Sequence, residues 1–246
     1  MEGTAVLGRL IWRAAEVAEL RPETSSVKTL VLEVAGWPGH RAGQHVDVRL
    51  TAEDGYQAQR SYSIASAANG SRVELTVERL DDGEVSPYLT EEARPGDVIE
   101  LRGPIGGFFV WDPAPGGAVL LVGGGSGIVP LMAMARQRAV DGDRVPTRML
   151  YSARAWDDVI YRDELERLGG DGLDVVYTLT REQPPDWTGY GRRVDSDLLD
   201  EVAPADLALT FVCGPTPFVE AVAEALVGLG HDPSRIKTER FGPTGG

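Results

Sequence analysis

The run Arg60-Ser61-Tyr62-Ser63 places a guanidinium, a phenol ring and two hydroxyls on four consecutive residues. An arginine fork pairs bidentately with a phosphate, and a tyrosine ring offers a flat face for stacking. In a regular strand residues 60 and 62 share one face, and 61 and 63 share the other. For Ser63 to reach a ligand held by Arg60 and Tyr62, the strand must bend, bulge or end near Ser63. The competing reading is a half-buried strand with a tyrosine in the core. A second group, Gly83, Val85 and Ser86 in Gly-Glu-Val-Ser, precedes a helix expected from Ser86 to about Ala93. Ser86 is its expected N-cap and Pro87 its first helical residue. A helix start is a phosphate handle. Phosphate plus a stacked ring points to a nucleotide-like cofactor.

Two glycine turns follow in the second half. An apolar strand runs into Gly123, Gly124, Gly125, Ser126 and Gly127 and then into a helix. Such a turn aims backbone N–H groups and a helix dipole at an anion, and Gly123, Gly125 and Gly127 would let the backbone approach a phosphate. The spacing is not G-x-G-x-x-G: counted from Gly123 the last position is Ile128, and from Gly125 it is Pro130. The second turn is Cys213-Gly214-Pro215 at the end of another apolar strand, with Thr216 as cap and Pro217 opening a helix. Cys213 reads either as a small buried hydrophobe or as a site residue.

The elements that must carry these groups fall into two kinds. Up to about Trp111 the chain is a series of short β-like runs (28–34, 44–50, 60–66, 72–80 and 97–103) separated by Gly, Pro, Asn and Asp turns. This pattern predicts an antiparallel barrel or sandwich. Residues 111–117, Trp-Asp-Pro-Ala-Pro-Gly-Gly, read as a linker. Apolar strands then alternate with helices, which predicts a parallel sheet covered on both faces. The expected domains are 1–112 and 113–246. No apolar run approaches the ~20 residues of a membrane span, and the N-terminus lacks the long apolar core of a signal peptide, so a cytoplasmic protein is expected. His40, His45 and His231 lack ligand spacing, and the single cysteine forms no disulfide within the chain and no thiolate-held cluster or zinc site. A net charge of −14 disfavours nucleic acid.

Taken in order, Arg-Ser-Tyr-Ser, Gly-Glu-Val-Ser, Gly-Pro-Ile-Gly-Gly-Phe-Phe (103–109), the Gly123 turn, Cys-Gly-Pro and a terminal Glu-Arg-Phe-Gly (239–242) resemble the ferredoxin–NADP reductase superfamily over nearly the whole chain. The resemblance implies FAD on the barrel and NADPH or NADH on the parallel-sheet domain. It places Arg60 on the FAD pyrophosphate, Tyr62 stacked on the isoalloxazine and Ser63 in hydrogen-bond reach of flavin N5, with Ser61 among the cofactor-binding residues. Gly83, Val85 and Ser86 would contact the FAD phosphates. Residues Gly123–Pro130 would receive the nicotinamide cofactor, and Cys213, Gly214 and Pro215 would lie beside its ring. Glu239 and Phe241 would approach the flavin, with Phe241 shielding it. Ser63, Cys213 and Glu239 are the implied catalytic set.

By the same resemblance Arg154 stands where a ribose 2′-phosphate would lie, with Arg162 and Arg181 converging on it, and NADPH is favoured although Asp157 and Asp158 lie close by. Many relatives carry a fused iron–sulfur domain. One cysteine cannot hold such a cluster, so the expected acceptor is separate: a ferredoxin, a cytochrome P450 or an oxygenase component, served by a monomeric reductase. The −14 charge sits poorly with an acidic ferredoxin. Two alternatives stay open, a free-flavin reductase or diaphorase and a non-catalytic FAD-binding subunit of a complex.

Overall fold

A computed structural model describes residues 10–68, 72–112, 117–142, 145–170 and 172–241. The first half forms β1 (Trp12–Pro22), β2 (Val27–Val34), β3 (His45–Thr51), β4 (Gln57–Ser63), β5 (Arg72–Glu78) and β6 (Val98–Ile105). They make one six-stranded sheet in the order β4-β3-β6-β1-β2-β5 with antiparallel pairing. A bridge between Ile64 and Leu75 brings the two edge strands together, which closes the sheet into a barrel. Val46, Val48, Leu30, Leu32, Leu75 and Leu101 fill its interior, each contributing roughly 1.5–3 kcal/mol by burial.

Strand β1 has no counterpart among the runs picked out by composition. Its sequence, WRAAEVAELRP, is rich in alanine and glutamate, which are depleted in strands. Pairing on both sides, with β2 and β6, overrides that weak preference.

The second half contains β7 (Ala118–Gly124), α1 (Ile128–Asp141), β8 (Thr147–Ala153), α2 (Arg162–Gly170), β9 (Leu173–Leu179), α3 (Ser196–Val202), β10 (Leu207–Pro215), α4 (Thr216–Gly228) and β11 (Ile236–Phe241). The five strands are parallel, in the order β11-β10-β7-β8-β9. β7 is buried along its whole length, as a strand covered on both faces must be. The strand order reverses between β7 and β10. In a doubly wound sheet this is where a ligand crevice opens, at the carboxyl ends of the strands.

Three boundary expectations are corrected. The helix expected at Ser86–Ala93 is found over residues 86–92, but Tyr88–Glu92 is wound as a π-helix, in which the Ala93 N–H bonds the Tyr88 carbonyl. Ser86 does not cap it; its hydroxyl accepts from the Leu80 N–H at 3.1 Å. Pro215 and not Thr216 caps α4, because β10 runs through Gly214 and Pro215 before the chain turns. Trp111 is no linker residue: it is buried, its backbone N–H bonds the Ala42 carbonyl at 2.9 Å, and its ring lies 6.4 Å from that of Phe211. Residues 113–116 of that linker and Gly242 of the terminal motif lie outside the described residues.

The halves share an apolar contact. Phe109 of the barrel side meets Phe211 of β10 edge to face at 5.3 Å, and Ala42, Ala65 and Trp111 belong to the same buried cluster as Leu121, Ile128 and Met134.

Candidate functional site

Strand β4 ends at Ser63. Immediately afterwards the Ile64 N–H bonds the Gln44 carbonyl at 2.9 Å and the Ala65 N–H bonds the Glu74 carbonyl at 2.8 Å, so the chain leaves β3 and joins β5. This break in alternation lets Ser61, Tyr62 and Ser63 line one cleft of about 520 Å³. Thr76 and Glu78 of β5 continue its barrel wall, and Ser126, Pro215 and Phe241 close it from the α/β half. Tyr62 packs on the barrel core, and burial pushes its phenol well above the ordinary range, so it stays neutral. The Ser61 hydroxyl is committed elsewhere: it donates to Asp47 Oδ1 at 2.7 Å, and Asp47 is held by Arg102 at 2.6 Å.

Arg60 sits at the rim. Its Nη1 donates to the Gln59 carbonyl at 2.7 Å, and its Nη2 lies 3.7 Å from Glu84 Oε2, which brings it beside the Gly83–Ser86 turn. Gly83 lines a neighbouring groove with Glu84 and Tyr56. The Val85 side chain is buried in the barrel core, so only its backbone faces outward chemistry.

A second cleft of about 260 Å³ opens at the switch point, lined by Gly124, Gly125, Ser126, Ser152, Arg154 and Thr180 among others. It shares Glu78, Ser126 and Pro215 with the first, so the two clefts have a common wall. The glycines of the turn divide by role. Gly125, at φ +55, has open space where a Cβ would point, so only its backbone conformation and approach demand glycine. At Gly127 a Cβ would stand 2.2 Å from the Cys213 carbonyl oxygen, and at Gly124 it would stand 2.9 Å from the Phe218 ring. At Gly123 it would meet Leu131 at 3.2 Å. These three glycines are therefore explained by close packing of β7 and the first turn of α1 against β10, α1 and α4, and Gly125 by its left-handed backbone.

Of the three arginines, Arg154 alone lines this cleft, together with Asp158. Arg162 lies 3.8 Å from both Asp157 and Asp163 and over the Trp156 ring. Arg181 is exposed, and its backbone N–H bonds the Arg154 carbonyl at 2.9 Å. The expected convergence of all three is not found.

Behind the shared wall, parallel register puts Cys213 directly beside Gly123 on one side and Glu239 on the other. Cys213 lies fully in the core and lines neither cleft. Burial, with the Glu239 charge adding, pushes its thiol well up, so it is a neutral thiol and no nucleophile. Glu239 is pushed up to about 7 by burial, and its Oε2 is buried without a partner. Its Oε1 lies 3.8 Å from His45 Nδ1. Burial lowers His45 while Asp47 pulls the other way. Both charges are disfavoured, so near neutrality the contact is between a largely neutral imidazole and a carboxyl group, not a salt bridge.

His45 also stands directly opposite Ser63 in the β3–β4 ladder, which sets their side chains on one face. No local signal marks His45 as a site residue. Only the strand register and the docking of the halves bring it to Ser63 and Glu239.

Residues 17–110 match the oxidoreductase FAD-binding domain and residues 121–224 the oxidoreductase NAD-binding domain. The chain is 35% identical over 92% of its length to ferredoxin–NADP reductase B of Sorangium cellulosum, covering 96% of that protein. It belongs to the ferredoxin–NADP reductase superfamily, the FAD- and NAD(P)-binding oxidoreductases. It is likewise 35% identical, over 83% of its length, to the glycine betaine monooxygenase reductase subunit of Pseudomonas aeruginosa, and spans 57% of that relative. The cytochrome P450 reductase of Amycolatopsis superposes on 96% of the chain with a TM-score of 0.84 and 27% identity, with 71% of that structure covered.

Proposed function

We propose that this chain carries electrons from NAD(P)H through FAD to a separate acceptor, an oxygenase component, a cytochrome P450 or a ferredoxin. The observation that carries the reading is the pair of clefts with one common wall: a hydroxyl- and ring-lined cleft on the barrel and a glycine-turn cleft on the parallel sheet. Residues 1–112 serve the flavin and 113–246 the nicotinamide. The donor set fits FAD. There is a rim cation (Arg60) beside the Gly83–Ser86 turn, a neutral ring (Tyr62), a hydroxyl where the strand ends (Ser63), and a buried unpartnered carboxyl oxygen (Glu239). When bound, FAD supplies two-electron acceptance from nicotinamide and one-electron release.

The protein holds the rings and excludes water. Phe241, which lines the same cleft as Tyr62 from the other half, would shield a ring held there. Ser63 would offer a hydroxyl to the bound ring, and Glu239, beside His45, would be the group able to hold a proton there. Cys213 and Gly214 back the nicotinamide position from the core. The similarity to the Pseudomonas and Amycolatopsis reductases supports an oxygenase or P450 acceptor, and that to the Sorangium reductase a ferredoxin. A net charge of −14 opposes self-association and supports a monomer, and a cytoplasmic setting is part of the same reading.

Purified protein should be yellow and should bleach anaerobically on adding NADPH or NADH. A colourless protein that oxidises neither would end this reading. Arg60→Ala should weaken FAD retention by about 1.5–3 kcal/mol, the worth of a charge-assisted hydrogen bond, measured by equilibrium release of FAD. Retention equal to wild type would remove Arg60 from the flavin site. Arg154→Ala should lower the NADPH-to-NADH ratio of kcat/KM by about tenfold or more if its cation meets a 2′-phosphate. An unchanged ratio would assign Arg154 to the surface and, with Asp158 beside it, favour NADH.

A further inference from the structure

Tyr161 is the one non-glycine residue among those described with a positive φ, at +60. For a bulky residue this conformation is strained and persists only where surroundings impose it. The surroundings here are specific. Tyr161 is 3% exposed and stands just before α2, whose Leu165 N–H bonds its carbonyl at 2.8 Å. Its hydroxyl crosses to the barrel and meets Thr76 Oγ1. Thr76 lies 2.7 Å from Thr29, its direct partner across the β2–β5 ladder, and Thr29 donates to Glu23 Oε1 at 2.7 Å. Each hydroxyl has one proton to give. With Thr29 donating to the carboxylate, Thr76 must donate to Thr29, and Tyr161 must donate to Thr76. The direction of the whole chain is thus determined. The run of hydroxyls thus ends on the Glu23 carboxylate at the barrel side. Arg136 covers the Tyr161 ring at 5.0 Å.

Thr76 is at the same time a wall residue of the flavin cleft, alongside Tyr62 and Ser63. We propose that Tyr161 is a positioning residue for hydride transfer, fixing the nicotinamide-side half on the flavin cleft through the Thr76 hydroxyl. The proposal rests on the electron-transfer reading above. The strained backbone stores the position and the hydroxyl chain selects it. Losing the chain leaves both binding sites intact but loosens their mutual alignment, to which transfer between two rings is sensitive.

Tyr161→Phe removes the hydroxyl and keeps the ring under Arg136. In FAD-free protein, hydrogen–deuterium exchange should quicken about tenfold at the Leu165 amide and along β5, and stay unchanged in β8. In FAD-loaded protein, single-turnover flavin reduction at saturating nicotinamide should slow about tenfold, with the half-saturating concentration moved less than twofold and FAD retention unchanged. Thr76→Val should reproduce both effects, Thr76→Ser should restore them, and the double variant should be no worse than either single one. If Tyr161→Phe does not fold, Thr76→Val and Thr76→Ser carry the test. Unchanged exchange and reduction, or a double variant showing the product of two independent losses, would overturn the proposal. A wild-type protein that neither holds nor reduces FAD would instead defeat the electron-transfer reading, and the exchange measurement on FAD-free protein would still decide whether the clasp exists.

Discussion

Arg136→Met should cost about 3–5 kcal/mol of folding stability, the cost of stranding buried charges. Arg136 projects from α1 and is 13% exposed. Its Nε and Nη2 grip Glu164 of α2 at 2.9 and 2.6 Å, and its Nη1 reaches Glu74 of β5 at 2.9 Å and the Ala65 carbonyl at 2.8 Å. Methionine fills the space of the aliphatic stem but leaves the Glu164 carboxylate without its fork and the Ala65 carbonyl without a donor. Glu74 keeps Arg21, at 2.5 Å, so the loss belongs at the lower end of the range. For a chain of this size it corresponds to a fall in Tm of about 6–12 °C. Urea unfolding with calorimetry measures it. A loss under about 1 kcal/mol would mean that water already reaches the cluster. The double variant Arg136→Met/Glu164→Leu should recover part of the loss, because it removes the stranded charge together with its partner.

Glu239→Gln should change how stability depends on pH. In the folded protein the Glu239 carboxyl titrates at about 7, above its ordinary 4.5, because it is buried. Between those values the folded protein keeps a proton that the unfolded chain has released. The stability associated with the neutral group is therefore full below pH 4.5, falls as pH rises towards 7, and stays low above it. The shift corresponds to about 3 kcal/mol. Glutamine keeps the shape and cannot ionise, so in FAD-free protein the variant should be nearly equal to wild type at pH 4.5 and more stable by up to about 3 kcal/mol at pH 8. Denaturant unfolding at several pH values reads this directly, and parallel pH profiles would show that the carboxyl is hydrated. His45 works in the opposite sense. Its lowered value makes the folded protein reluctant to take up a proton as pH falls below 6.5, so His45→Gln should soften the loss of stability on the acid side.

The sequence by itself determined what lies within a few residues along the chain. Alternating apolar positions marked β2, β3 and β5, apolar runs followed by glycine marked β7 and β10, and the conflict of facing between Tyr62 and Ser63 required the strand end that is found at Ser63. The ordered set of short motifs was enough to place the chain in its superfamily. The helix after Ser86 was legible, but its π winding at Tyr88–Glu92 was not, and neither was the strand at Trp12–Pro22, where local propensity was weak and pairing with β2 and β6 decided. Tertiary structure alone decided which chemical groups meet. His45 reaches Glu239 from the other end of the chain, Gly127 is required by the Cys213 carbonyl, and Tyr161 spans the two halves to Thr76. The reason is physical. Helix and strand periods report a residue's near neighbours, whereas these contacts depend on ladder register and on how two separately built sheets dock, and neither leaves a period in the sequence.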